Sequence, residues 1–178
     1  MFLKNASKFL KKDMQTQRKF KKEERMTDHC IMGCDPGVSG AISFYFPSHP
    51  ENIAVYEMPS VGKEVNCPEL AALIKQYRPN VAIIEHVHSF PGQGVSSSFN
   101  FGASYGMLRG VVAALGVPIK LVAPVKWKKF FNLSRDKDES RRLAILNWPT
   151  CEHFSRKKDD GKAEAALLAL YGSKALDV

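Results

Sequence analysis

The spacing of hydrophobic residues changes along the chain, and these changes predict where strands and helices lie. Three short apolar or alternating segments come first, at 29–34, 41–46 and 52–57. The short intervals between them predict an antiparallel meander of three strands. The continuous apolar run at 81–84 is typical of a strand buried on both faces, and 119–122 predicts one more strand.

Apolar residues at helical spacing follow the meander. Five segments have this pattern: 68–77, 99–115, 124–131, 136–147 and 161–171. Three strands followed by alternating helices and strands indicate an α/β fold, in which a mixed five-stranded sheet carries helices on both faces. A chain of 178 residues has room for one such domain.

Glycines recur at every fourth position of the helix predicted at 99–115, as Gly102, Gly106 and Gly110. Each glycine costs about 1 kcal/mol relative to alanine inside a helix. The stripe therefore predicts a face on which another backbone packs closely. That backbone belongs either to a second copy of the chain or to another element of the same chain.

The positive charge is concentrated at the N-terminus. The formal net charge is +8, yet residues 1–25 hold nine basic and three acidic residues, so the remainder is close to balance. We expect a basic extension at 1–26 and a folded domain at 27–178. The extension fits a DNA-binding arm, an organelle-targeting peptide or a segment without a role. Its excess of lysine over arginine, and its acids, weaken the targeting interpretation.

The composition predicts a soluble protein in a reducing compartment. No apolar run approaches the roughly 20 residues that span a bilayer, and no signal-peptide core is present. The cysteines lack paired CxxC spacing, which argues against a structural zinc site. We expect a cytoplasmic protein, encoded by a bacterium or a phage, with an organellar location disfavoured. The cysteines are Cys30, Cys34, Cys67 and Cys151.

Acidic residues lie at the ends of the predicted elements. Asp35 follows the first strand, Glu85 follows the central apolar strand, and Asp160 and Glu164 lie one turn apart in the last helix. Converging carboxylates suit two divalent ions about 4 Å apart, which together clamp the oxygens of a phosphodiester. Glu85 is the most informative, because burying a carboxylate without a partner is costly. Asp35 is also a common turn initiator, and Asp159 or Asp160 a common N-cap.

Residues 30–172 resemble the RuvC family of Holliday-junction resolvases, within the RNase H-like nucleases. The resemblance lies in Met-Gly-Cys-Asp-Pro-Gly at 32–37, Ile-Ile-Glu at 83–85 and Asp-Gly-Lys-Ala-Glu-Ala at 160–165. Residues 88–97 and 124–128 are similar in particular to the phage and organellar branch of the family.

This resemblance implies an RNase H-like fold and a crossover junction endodeoxyribonuclease that needs Mg²⁺, with Mn²⁺ as a substitute. It implies a homodimer that makes paired symmetric nicks in a four-way DNA junction. The family commonly spaces its last two acids three residues apart, whereas Asp160 and Glu164 are four apart, so the choice between Asp159 and Asp160 stays open. The implied metal ligands and catalytic residues are Asp35, Glu85, Asp160 and Glu164, with Lys126 as a further catalytic residue.

Two groups of residues are expected to contact DNA. His88, Phe90 and Gln93 lie in the Gly/Ser-rich loop at 88–98 and are suited to stack on bases or bond to them. Lys126, Lys128 and Lys137 are suited to phosphates. An ordinary mobile loop and plain solvated lysines are the alternatives.

Other functions remain open at this stage. An RNase H-like nuclease acting on other branched or hybrid nucleic acids is one, and a non-catalytic junction-binding protein is another. An actin-like ATPase is disfavoured, because that fold needs two such domains. If the chain is a resolvase, the glycine-striped helix is the expected dimer element, because a twofold dimer supplies two active sites.

Overall fold

The computed structural model describes residues 28–88, 92, 94–134, 136–176 and 178. The predicted extension at 1–26 and its boundary with the domain lie outside these residues. The strands are β1 Ile31–Asp35, β2 Ala41–Tyr45, β3 Ile53–Glu57, β4 Ser60–Val61, β5 Glu64–Val65, β6 Val81–Glu85 and β7 Ile119–Val122. The helices are α1 Cys67–Tyr77, α2 Val95–Ala114, α3 Pro124–Phe130, α4 Lys137–Asn147 and α5 Asp160–Ala175, with 3₁₀ turns at Glu152–Phe154 and Lys157–Asp159.

Five strands form one mixed sheet, in the order β3-β2-β1-β6-β7. The first three pair antiparallel, as the meander predicts, whereas β6 is parallel to both β1 and β7. This confirms the predicted sheet. The two-stranded hairpin of β4 and β5 was not predicted, since each of its strands has only two residues and shows no periodicity.

Helices cover both faces of the sheet, as expected. Alternate strand residues such as Ile31 and Ile83 pack with α5 and with the buried tryptophans of the chain. Their neighbours Met32 and Ile84 point the other way and pack with residues of α1 and α2. Because side chains alternate along a strand, odd-numbered residues of β1 and β6 face α5.

Helix α5 lies directly on β1. A Cβ atom added to Gly33 would collide with the backbone oxygen of Ala165 and would lie 2.6 Å from the backbone nitrogen of Ala169. The hydroxyl of Ser43 donates a buried hydrogen bond to the same Ala165 oxygen, at 2.8 Å. This close approach places the start of α5 over the carboxyl end of β1.

Helix α2 begins four residues earlier than predicted, because Val95 and the three serines after it lack a hydrophobic pattern. A Cβ added to Gly102, Gly106 or Gly110 meets no described atom within 4 Å. Close packing of this stripe within the chain is therefore absent from the described residues. None of the described helices is long and apolar enough to cross a membrane.

Candidate active site

Two acidic residues end neighbouring parallel strands. The register pairs Cys34 of β1 with Ile84 of β6, and one step further along both strands places Asp35 beside Glu85. Residues paired in this way project from the same face of the sheet, and strands lie about 4.8 Å apart. Both carboxylates therefore project side by side toward α5, as the sequence predicts. Glu85 is 8% exposed.

Helix α5 brings its first turn to this pair of carboxylates. A Cβ added to Gly161 would lie 2.8 Å from Oδ2 of Asp35, so only glycine leaves room for the carboxylate there. Asp160 and Glu164 are one turn apart on this helix and share a face. Glu164 is buried and Asp160 is partly exposed. The structure thus gathers the predicted acids at one end of the sheet.

Helix α3 holds two of these carboxylates through consecutive residues. Trp127, which is fully buried, donates its indole N–H to Oε1 of Glu85 at 2.9 Å. The ammonium of Lys128 donates a hydrogen bond to Oε1 of Glu164 at 2.8 Å, and its Nζ lies 5.2 Å from the centroid of the Trp127 ring. Sequence reasoning missed Trp127. Its only signal was a tryptophan beside the lysines predicted to bind DNA.

Asp159 belongs to a separate network of ion pairs. Arg156 contacts both of its carboxylate oxygens, at 3.0 and 2.8 Å, and Lys162 contacts one of them at 3.3 Å. Lys162 also pairs with Glu57 at 2.9 Å. Burial would raise the pKa of Asp159, but the hydrogen bonds from Arg156 and the charge of Lys162 lower it to about 2. Asp159 is therefore buried and ionised, and Arg156 occupies both of its oxygens.

The remaining predicted residues differ in where they lie. Lys126 is exposed on α3, whereas Lys128 contacts the carboxylate of Glu164. His88 is exposed just beyond β6, with its ring centroid 4.3 Å from that of His86. Phe90 and Gln93 lie outside the described residues. Lys137 is the first residue of α4, and its side chain is also outside them.

The donor set fits a hard divalent cation. Asp35, Glu85, Asp160 and Glu164 offer only oxygen ligands, which Mg²⁺ prefers. Among the described residues, however, no three His, Cys, Asp or Glu side chains are close enough together to hold a metal ion. Two of the four carboxylates instead accept hydrogen bonds from α3. The four carboxylates therefore lie at one end of the sheet, but no three of them are close enough together to bind one ion.

Comparison with known proteins shows the fold. No family model matches the sequence, and no curated protein matches it. Among solved structures, Thermus thermophilus RuvC in complex with a Holliday junction substrate matches with a TM-score of 0.60 and 12% identity, over 82% of this chain and 95% of that one. Thermus thermophilus RuvC by itself matches with a TM-score of 0.57 at the same identity and coverage.

The yeast mitochondrial Holliday junction resolvase Ydc2 is a more distant match, with a TM-score of 0.43 and 17% identity over 80% of this chain and 76% of that one. The two RuvC matches show that this chain has the fold of RuvC, which confirms the RNase H-like fold expected from the sequence.

Proposed function

We propose that this protein is a metal-dependent endonuclease that resolves four-way DNA junctions formed in recombination and repair. One observation carries the proposal. Asp35 and Glu85 end adjacent parallel strands, and Glu164 comes from the helix packed on the same face. In this chain the three acids lie within the fold of RuvC, which has been solved in complex with a Holliday junction substrate.

The ligands we propose for Mg²⁺, or for Mn²⁺ in its place, are Asp35, Glu85, Asp160 and Glu164. Asp160 is preferred to Asp159, because both oxygens of Asp159 already accept hydrogen bonds from Arg156. When bound, divalent ions activate a water molecule and offset the charge that builds up on the phosphate.

The protein's own residues orient the reactants. Trp127 fixes the Glu85 carboxylate through its indole N–H, and the buried surroundings of Glu85 and Glu164 strengthen their attraction for a cation. Lys126 and Lys128 offset charge on the phosphate. Water adds to phosphorus and the bond to the 3′ oxygen breaks, which leaves 5′-phosphate and 3′-hydroxyl ends. His88, Phe90, Gln93 and Lys137 complete the proposed DNA contacts.

The outer face of α2 is the proposed dimer interface. Gly102, Gly106 and Gly110 face open space on this helix, and Phe99 is 75% exposed at its N-terminal end. Close packing against the same helix of a second copy would use the stripe that this chain leaves uncovered. A twofold dimer supplies one site for each of the two strands to be cut.

The test is nicking of a synthetic four-way junction in Mg²⁺, with linear duplex and an RNA–DNA hybrid as competing substrates. We expect paired symmetric nicks in the junction that disappear in Glu85→Gln, while this variant still binds the junction. Glu64→Gln makes the same chemical change on the exposed hairpin and should leave cleavage intact. If the hybrid is cut faster than the junction, the protein is instead an RNase H-like nuclease that acts on hybrid nucleic acids. Junction binding without cleavage would identify a non-catalytic junction-binding protein.

A further inference from the structure

A lysine neutralises one of the proposed metal ligands. The ion pair between Lys128 and Glu164 is 2.8 Å long, and the two side chains are only 19% and 10% exposed. Exposed ion pairs contribute little to stability, because water screens them. This pair is largely shielded, so the attraction between its charges is stronger than at the surface.

The same ammonium also lies near Trp127, the residue of α3 that holds the second carboxylate, that of Glu85. Its Nζ lies over the ring of Trp127, and the N–H of that ring is bonded to Glu85. Consecutive residues of one short helix therefore tie a strand carboxylate and a helix carboxylate to the same side of the site. Lys126, on the same helix, is exposed, and no contact of its ammonium with these acids is found among the described residues.

We propose that Lys128 is a positioning residue: its ammonium holds Glu164 while no divalent ion is present and is exchanged for the ion when one binds. This inference rests on the function proposed above. The ammonium and a divalent ion compete for the same carboxylate oxygen, and the ion carries twice the charge. Lysine is suited to such an exchange, because its flexible stem lets the ammonium move aside. The released ammonium is then available to a DNA phosphate.

Competition of this kind predicts opposite effects from two substitutions. Lys128→Met removes the competing charge, so Mg²⁺ should bind more tightly, by about tenfold for a unit charge a few ångströms away. Lys128→Arg holds the carboxylate more firmly through a planar, bidentate guanidinium. We therefore expect this variant to bind Mg²⁺ more weakly than the parent protein, by about threefold to tenfold.

The chain contains a spectroscopic probe for this exchange. It has two tryptophans, Trp127 and Trp148. In a Trp148→Phe background, Trp127 is the only tryptophan, and its N–H is bonded to Glu85. Its fluorescence should change when an ion binds beside Glu85, so titration with Mg²⁺ measures affinity without any cleavage assay. Mn²⁺, which is paramagnetic, should quench the same signal.

The titration is carried out on the full chain in the Trp148→Phe background, alone and combined with Lys128→Met, Lys128→Arg or Lys129→Met. Lys129→Met is the matched control, since it removes an exposed charge from the same helix at a residue with no proposed role. It should change Mg²⁺ affinity by less than about threefold, as expected for a screened surface charge. Circular dichroism checks that each variant is folded. If Lys128→Met does not fold, the Mg²⁺ affinity of Lys128→Arg still tests the proposal.

The outcomes separate the two proposals. Tighter Mg²⁺ binding in Lys128→Met and weaker binding in Lys128→Arg, with Lys129→Met unchanged, would support the exchange. If the parent binds Mg²⁺ and cleaves the junction but both Lys128 variants match Lys129→Met, the exchange is wrong and the endonuclease proposal stands. If no variant responds to Mg²⁺ and the unsubstituted protein does not cleave, both proposals are wrong.

Discussion

The indole N–H of Trp127 donates to Oε1 of Glu85 at 2.9 Å, and this bond joins helix α3 to the end of the central strand β6. Both residues are buried. A buried carboxylate with a defined donor is held in one orientation, whereas an unsupported carboxylate would be costly to bury. Trp127 therefore supports a residue on which the proposed chemistry depends.

Removing that donor should impair catalysis more than folding. Trp127→Phe keeps an aromatic ring but deletes the N–H, and we expect about a tenfold to hundredfold loss of cleavage or of Mg²⁺ affinity, as found when partners of metal ligands are removed. Junction cleavage as a function of Mg²⁺ concentration measures both effects. Trp148→Phe is the matched control, because this equally buried tryptophan donates to the backbone oxygen of Pro50. Equal activity in the two variants would contradict the role of Trp127.

Two neighbouring aspartates should behave in opposite ways. Asp160→Asn removes a proposed metal ligand, so we expect cleavage to be lost while the melting temperature stays close to that of the wild type. Asp159→Asn breaks the network with Arg156 and Lys162, so we expect a loss of stability of about 3 kcal/mol, typical of a broken buried pair, with cleavage retained by the folded protein. The reverse result would make Asp159 the ligand.

The same network predicts how stability depends on pH. The pKa of Asp159 is lowered from 3.8 to about 2 in the folded protein. Its stabilising contribution is therefore complete above about pH 5 and is lost as the pH falls through 2, with a total of about 2 kcal/mol. Urea unfolding at pH 5, 4 and 3 measures the first half of this loss, about 1 kcal/mol, because the folded pKa lies below that range. Between pH 5 and 3 the loss of stability should be about 1 kcal/mol smaller in Asp159→Asn, and an unchanged profile in this variant would contradict the assignment.

The proposed dimer predicts a substitution that separates assembly from folding. Gly106→Arg adds a side chain where a Cβ meets no described atom within 4 Å, so the monomer should fold normally. We expect it to run as a monomer in light scattering and to make single rather than paired nicks. Ala72→Arg places the same side chain on an exposed position of α1 and should remain dimeric. If the Gly106→Arg protein is still a dimer, the interface lies on another surface of the chain.

Local pattern was sufficient to predict most of the architecture. The meander, the central strand and the main helices have periodicities of two or of 3.6 residues, and these periodicities depend only on which side chains are apolar. The prediction was incomplete where that pattern is lacking, in the two-residue strands of the β4–β5 hairpin and in the serine-rich start of α2. There, backbone hydrogen bonding and packing define the element.

The predicted topology also placed two of the acids near each other. Asp35 and Glu85 each end a strand, and parallel strands bring their carboxyl ends to the same edge, so their proximity follows from topology. It did not distinguish Asp159 from Asp160, because adjacent residues at the start of a helix have the same sequence signal. In the structure Asp159 pairs with Arg156 and Lys162, three residues before and after it, and Glu57 of β3 contacts Lys162 in the same network. The contacts of Trp127 and Lys128 depend on how helix α3 is rotated over the face of the sheet that carries these acids. Side chains that are distant in sequence determine this rotation together.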